Sequence, residues 1–207
     1  LLDSMEEFAK INAFVRPRGF LGDFLETKRT SLDAADSSTE RPVLASLFGI
    51  VHNFPHAEVF PHLARFFRSS EQVLVGINGV ASRGTADHLD SIRVQYDNPP
   101  TTRWVSRFLI ELGLDPGVGK FQTVVRHSSN DMEPSSISIQ FVFAETVRLG
   151  WLDQQLVFPS GTAWDLFTTY RYHLPSLEHQ FKSHGFRVKR DWVSASGEEI
   201  IVWIEKS

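Results

Sequence analysis

Arg41 to Phe67 reads RPVLASLFGIVHNFPHAEVFPHLARFF. Val43 to Ile50 is a short apolar run, of a length that suits a strand buried on both faces. The run breaks through Val51-His52-Asn53-Phe54 into Pro55, which suits the first position of a helix. Glu58 falls in the first turn of that helix, and Arg65 and Arg68 fall at its end, where they complement the helix dipole. Val59, Leu63, Phe66 and Phe67 make its apolar stripe. Gln72 to Ile77, QVLVGI, is a second buried-strand run. Strand, polar break, helix and strand form one βαβ unit. Open α/β sheets built from such units bind ligands beyond the carboxyl ends of their strands. That rule puts His52, Asn53 and Asn78 on the edge where chemistry is expected.

The bulk properties bound the rest. A chain of 207 residues holds one full core, or one core with an insertion. Its net charge of -4 and its 22% charged residues give no general reason to expect nucleic acid or an anionic membrane as partner. The absence of cysteine excludes a disulfide framework, thiolate zinc sites and a cysteine nucleophile, and fits a reducing, cytoplasmic compartment. No apolar run approaches the roughly 20 residues that span a bilayer. The sequence opens on Leu1-Leu2-Asp3 and reads as if joined partway through a strand, so an N-terminal truncation is expected.

Ser4-Met5-Glu6-Glu7 is a capping box that opens a helix, with Phe8, Ile11 and Val15 on one face and Pro17 as its stop. Arg18 to Leu25 reads as a short strand ending at Gly22-Asp23, and Thr27 to Glu40 as a polar surface loop. After the βαβ unit, Ala81 to Arg93 is polar with weak helical periodicity, and Tyr96-Asp97-Asn98-Pro99-Pro100 is a strong breaker. Thr101 or Thr102 can cap a helix whose face is Trp104 (or Val105), Phe108 and Leu112, closed by Gly113. Ile137 to Phe143, Glu145 to Leu149 and Leu152 to Phe158 read as antiparallel strands. Residues 87–168 therefore form an inserted α+β subdomain, and residues 1–86 with 169–207 form the core. Pro175 starts a last helix with Leu174, Leu177 and Phe181 on its face. Arg187 to Val193 and Glu199 to Ile204 then pair as a hairpin across Ser196-Gly197.

Strand-Asp-helix, strand-Gly-Asp, strand-Asn-helix, strand, helix and terminal hairpin resembles the order of class I S-adenosylmethionine-dependent methyltransferases, joined at their second strand. Gly22-Asp23-Phe24, Leu47-Phe48-Gly49 with Asn53-Phe54, and Val73-Leu74-Val75-Gly76 look like the core of one family. So do Tyr96-Asp97-Asn98, Glu111-Leu112-Gly113, Thr169-Tyr170-Arg171-Tyr172, Gly185-Phe186 and Trp192. The chain resembles, over its whole length, the histidine-specific methyltransferases, among them the ergothioneine-pathway histidine Nα-methyltransferases and fungal enzymes that N-methylate a prenylated tryptophan. The resemblance implies an α/β fold, a Rossmann-like class I methyltransferase sheet lacking its first strand, and S-adenosyl-L-methionine as cofactor. It also implies a small amine as substrate. The upstream segment or another chain would supply the absent strand and its Gly-rich loop. Two further departures stand out. The family's Gly-Asn step is His52-Asn53 here, and its substrate-holding Glu and Ser correspond to Phe167 and Thr169. An apolar Phe167 suits an aromatic or otherwise apolar substrate better than histidine.

Carried onto these residues, the resemblance gives Asp3, with Ser4, to the cofactor ribose and Asp23, with Phe24, to its adenine. It gives Asn53 and Tyr96 to the substrate's amino-acid group as the catalytic pair, with Thr169 beside them. Each has a plain structural alternative. Asp3 fits beside a helix N-terminus, Asp23 fits a Gly-Asp turn, Asn53 fits an N-cap before Pro55, and Tyr96 fits a half-buried loop. His52 has the pKa of a general base, but methyl transfer to an amine needs only a neutral nucleophile held in line, so positioning carries the task. His52, His56 and His62 lack a third ligand at zinc spacing, so no metal is expected. Arg171, Lys182, Lys189 and Arg190 read as solvated faces, and Trp192 and Trp203 as core. A small-molecule N-methyltransferase is the leading reading. A non-catalytic methyltransferase fold kept as a binding subunit is the alternative, and a dehydrogenase-type dinucleotide domain is disfavoured.

Overall fold

The computed structural model of the protein describes residues 23–30, 44–81, 85–130, 132–151 and 154–207. The chain divides into two units, Leu1–Glu40 and Arg41–Ser207. Asp3, Ser4, the capping-box helix and the strand up to Gly22 lie outside the described residues. In the first unit Asp23 opens a turn: its Oδ1 accepts the Leu25 N–H at 2.8 Å, and the Thr27 hydroxyl donates to its carbonyl at 2.6 Å.

The second unit begins with the expected βαβ step. Strand β1 (Leu44–Phe48) lies parallel to β2 (Gln72–Asn78) and is joined to it through a short 3-10 turn (Val51–Asn53) and helix α1 (His56–Phe66). Helix α2 (Thr85–Val94) and helix α3 (Pro99–Glu111) follow, then β3 (Gly119–Arg126), β4 (Ser135–Phe143), β5 (Val147–Trp151), β6 (Gln154–Phe158) and β7 (Ala163–Arg171). Helix α4 (Leu174–Ser183) leads into the terminal hairpin β8 (Phe186–Val193) and β9 (Glu199–Lys206). The strands sort into a four-stranded sheet β1-β2-β9-β8, a three-stranded antiparallel sheet β3-β4-β7, and the β5-β6 hairpin. The class, the opening βαβ step and the closing helix and hairpin are those of the α/β reading.

One face of the four-stranded sheet makes the core. Val73, Val75 and Ile77 of β2 and Ile200, Val202 and Ile204 of β9 are buried, as are Val59, Phe60 and Leu63 of α1 and Leu177 and Phe181 of α4. The Phe60 ring meets Phe181 edge-on at 5.2 Å and Tyr172 at 6.1 Å. Phe60 widens the stripe expected from Val59, Leu63, Phe66 and Phe67, of which Phe66 is only partly buried, because α1 must cover the sheet and also meet α4. Pro61 inside α1 has no N–H to give the Ala57 carbonyl, so the helix lacks that rung.

Four expectations need correction. Strand β1 is not buried on both faces: Leu44 is 74% and Phe48 50% exposed. It pairs only with β2 among the described residues, so the layers that would bury a central strand do not close over it. The buried face of α3 is Val105, the alternative to Trp104 in the expected face, with Leu109, while Trp104 and Phe108 are about half exposed. Their rings lie edge-on against Phe167 and Trp164 of β7, which turns the helix one position from the expected stripe. Asn98, rather than a threonine, caps α3, its Oδ1 accepting the Thr101 N–H at 2.9 Å. Trp192 is not a core residue; it is 40% exposed, with the Arg190 guanidinium 5.0 Å from its ring centre.

Strands β3 and β7 are additional to the sequence reading. Strand β7 pairs with β4 along its length and then hands the chain to the other sheet. Tyr172 donates its N–H to the Asn78 carbonyl at 3.1 Å, and Val80 donates to the Tyr172 carbonyl at 3.0 Å, a parallel bridge at the carboxyl end of β2. Gly79 sits in that bridge because a Cβ there would collide with the Gly197 carbonyl and the Ile200 side chain.

Candidate functional site

The carboxyl ends of β1 and β2 and the start of β9 border a cavity of about 300 Å³, lined by Phe48, His52, Gly76, Asn78, Glu199 and Ile201 among others. His52 is carried by the 3-10 turn that leaves β1, and this turn packs against β2 and β7. Its imidazole is 8% exposed, and Nδ1 accepts the backbone N–H of Asn78 at 3.2 Å. Burial, reinforced by the charge of Arg171, pulls its pKa from 6.5 down to about 4. His52 is therefore neutral at pH 7. With Nδ1 accepting, the ring proton is on Nε2, and the side chain is a fixed donor and acceptor rather than a base.

Asn78 joins this end of the sheet to β7, its Nδ2 donating to the buried Thr169 hydroxyl at 3.0 Å. Along β7, Phe167, Thr169 and Arg171 alternate onto the same face. Phe167 lies between Tyr96, with ring centres 6.2 Å apart, and Trp104, 5.2 Å away. Arg171 closes the group by donating from Nη2 to the Tyr96 hydroxyl at 2.8 Å. Tyr96 is half-buried and rests against the cluster of Val80, Leu89, Ile92 and Ile137.

Of the residues singled out in the sequence, the fold thus brings together His52, Asn78, Tyr96 and Thr169. Asn53 stands apart from this network. It is exposed, and its Nδ2 donates back to the Gly49 carbonyl at 2.9 Å. It does not cap α1, whose N-cap position is Pro55 without a side-chain bond. Asp23 and Phe24 lie in the turn of the first unit, where the carboxylate already serves Leu25. The clearest correction is Arg171, which is no solvated surface residue but only 5% exposed. Its signal was its place in an alternating run, Phe167-Thr169-Arg171, whose other members already read as site residues.

Among the described residues no group of three or more His, Cys, Asp or Glu is arranged to hold a metal, and no helix is long and apolar enough to cross a membrane.

No family model and no curated protein matches the chain. It is similar to the solved structure of an S-adenosylmethionine-dependent methyltransferase from Clostridium acetobutylicum, at 9% identity and a TM-score of 0.42, over 100% of this chain and 71% of that one. A second likeness is to OxaC in complex with sinefungin and meleagrin, at 8% identity and a TM-score of 0.44, over 100% of this chain but only 34% of OxaC. A third is to the CcbJ methyltransferase from Streptomyces caelestis, at 10% identity and a TM-score of 0.39, over 100% of this chain and 70% of that one. Likenesses this distant carry neither activity nor substrate to this chain.

Proposed function

We propose that the protein is an S-adenosylmethionine-dependent N-methyltransferase of a small amino-acid-like amine with an aromatic or apolar body. The observation that carries this reading is the polar cluster His52, Asn78, Thr169, Arg171 and Tyr96 at the carboxyl end of the β1-β2 step, walled by Phe167 and Trp104. The sequence resemblance supports it, as does the order of strand, helix, strand and terminal hairpin. The cofactor, when bound, supplies a sulfonium methyl group as electrophile. Among the described residues, the Asp23 carboxylate fits a nucleoside amino group, since one carboxylate accepts several hydrogen bonds and the Leu25 N–H takes only one.

The chain's own part is to bind and align the amine. With its pKa lowered to about 4, His52 does not take the substrate's proton, so the ammonium gives one proton to solvent before transfer and the methylated amine gives up a second to solvent afterwards. Asn78, which lines the cavity, offers its amide to a polar substrate group and is held in place by the buried Thr169 hydroxyl, while Phe167 and Trp104 present ring faces and edges to the substrate's body.

Calorimetric titration of S-adenosylhomocysteine into the full-length protein tests the reading. Micromolar binding, weakened by Asp3→Ala and by Asp23→Ala, is expected. An absence of binding overturns it and leaves a non-catalytic binding subunit as the better account.

A further inference from the structure

We propose that His52 makes the cavity at the ends of β1, β2 and β9 selective for an uncharged amide, donating from its Nε2–H to the amide oxygen of a ligand whose N–H groups turn toward Asn78 and Glu199. The inference rests on the methyltransferase reading above for taking that ligand as the substrate, an amine that carries a neutral amide. The binding site itself rests on the cavity alone.

The backbone fixes the donor. Nδ1 of His52 accepts the Asn78 N–H at 3.2 Å, so the neutral ring carries its proton on Nε2. With Nδ1 held against β2, the Nε2–H edge is turned away from that strand, and it has no partner among the described residues. The side chain is buried, at 8% exposure, and borders the cavity. A buried donor without an acceptor is costly, and folds retain one where water or a ligand meets it. The resemblance to the histidine-specific methyltransferases has glycine at this step, so the donor is a feature of this chain.

The rest of the lining selects the acceptor. No lysine or arginine borders the cavity; the Arg171 charge acts on the imidazole from outside the lining. Glu199 does border it, and among the described residues its carboxylate makes neither a salt bridge nor a hydrogen bond. A carboxylate on the ligand would meet that like charge, whereas a neutral oxygen meets the His52 donor without it. Asn78 adds a second acceptor, because its Nδ2 is spent on Thr169 and leaves Oδ1. One donor set among two acceptors is the complement of an amide, whose carbonyl accepts and whose N–H groups donate. Phe48 supplies a flat apolar wall: its ring lies over Gly76, where a Cβ would collide with it, and Ile201 stands opposite Gly76 on β9. The adenine of the cofactor also presents a neutral acceptor beside N–H groups, so the test must separate the two sources.

Benzamide, benzoate and toluene share a ring and differ in carrying an amide, a carboxylate or no polar group. In full-length protein labelled with ¹⁵N-histidine, the His52 ring nitrogens are assigned by their loss in His52→Asn. Benzamide is expected to move the Nε2 signal saturably and to bind about fivefold or more tightly than either of the others, as for one net hydrogen bond. His52→Asn keeps an oxygen near the Nδ1 position for the Asn78 N–H but reaches no further, and should abolish the preference over toluene. Glu199→Gln, at an exposed position, should narrow the preference over benzoate. Equal affinities for the three, or benzamide binding that leaves Nε2 unmoved, overturn the proposal, since the donor then meets water only. Saturating S-adenosylhomocysteine is expected to leave benzamide in place; displacement also overturns the proposal, since the cavity would then hold the cofactor. An amide preference in a protein that binds no S-adenosylhomocysteine keeps the site and removes the methyltransferase reading. S-adenosylhomocysteine binding without an amide preference does the reverse.

Discussion

Acid should destabilise this protein through His52 in a way that can be isolated. The unfolded chain titrates His52 near 6.5, while burial and the Arg171 charge hold the folded imidazole near 4. A histidine kept neutral by folding binds its proton more readily in the unfolded state. Its contribution is therefore fully present above 6.5 and is lost as pH falls toward 4. Between about pH 7 and pH 5 the loss amounts to about 2 kcal/mol, from about 1.4 kcal/mol for each pH unit of the window crossed. His52→Gln keeps an oxygen to accept the Asn78 N–H and does not titrate, so it should lack this component. Urea unfolding of both proteins at the two pH values measures the difference, provided the slopes with urea agree. Equal losses in the wild type and His52→Gln would refute the reasoning, as would an NMR titration placing His52 near 6.5. Either result would also reopen His52 as a general base.

Three other substitutions follow from particular contacts. Thr169→Val leaves the Asn78 amide without its buried acceptor and should cost roughly 1–3 kcal/mol in urea unfolding, with Thr169→Ser much closer to the wild type. Gly79→Ala drives a methyl group into the Gly197 carbonyl and Ile200 and should cost roughly 1–3 kcal/mol, read as a lowered Tm. Asn98→Ala removes the cap of α3 and should cost about 1 kcal/mol, with Asn98→Ser or Asn98→Asp largely restoring it.

The parts of the fold legible in the sequence are those where local pattern and tertiary demand agree. The 41–78 stretch gave strand, helix and strand because Pro55, Glu58 and Arg65 mark the helix ends and the valines of β2 face the core. The last helix and hairpin were legible for the same reason, with Gly185 and Gly197 at positive φ closing their turns. Strand β1 misled because a run such as Leu44–Phe48 fixes the strand but not what covers it. The face of α3 misled because Trp104 and Phe108 are apolar yet spend their rings on β7 instead of the core beneath. Arg171 misled more deeply, since its only local signal is the alternating run Phe167-Thr169-Arg171, and that run does not by itself distinguish a buried guanidinium from a solvated one. Only the partner strand, and Tyr96 from 75 residues away, do so.

Strand β7 explains why the site was only half visible. A strand alternates faces with a period of two, so counting from Trp164 puts Leu166, Thr168 and Tyr170 on its face and Phe167, Thr169 and Arg171 on the other. The pairing departs from this. Trp164 stands opposite Phe141 and Phe167 opposite Ile139, two β4 residues that share a face, although three positions separate them on β7. Leu166 is the extra residue of a bulge, and beyond it the alternation is inverted. The same face that buries Trp164 against Phe143 and Phe158 thereby presents Phe167, Thr169 and Arg171 to Tyr96 and Asn78. A regular β7 would turn all three away and put Thr168 and Tyr170 in their place, because a slip of one residue moves every side chain to the opposite face. The aromatic core of the three-stranded sheet and the polar site thus occupy successive stretches of a single face, and the bulge at Leu166 is what lets one strand serve both.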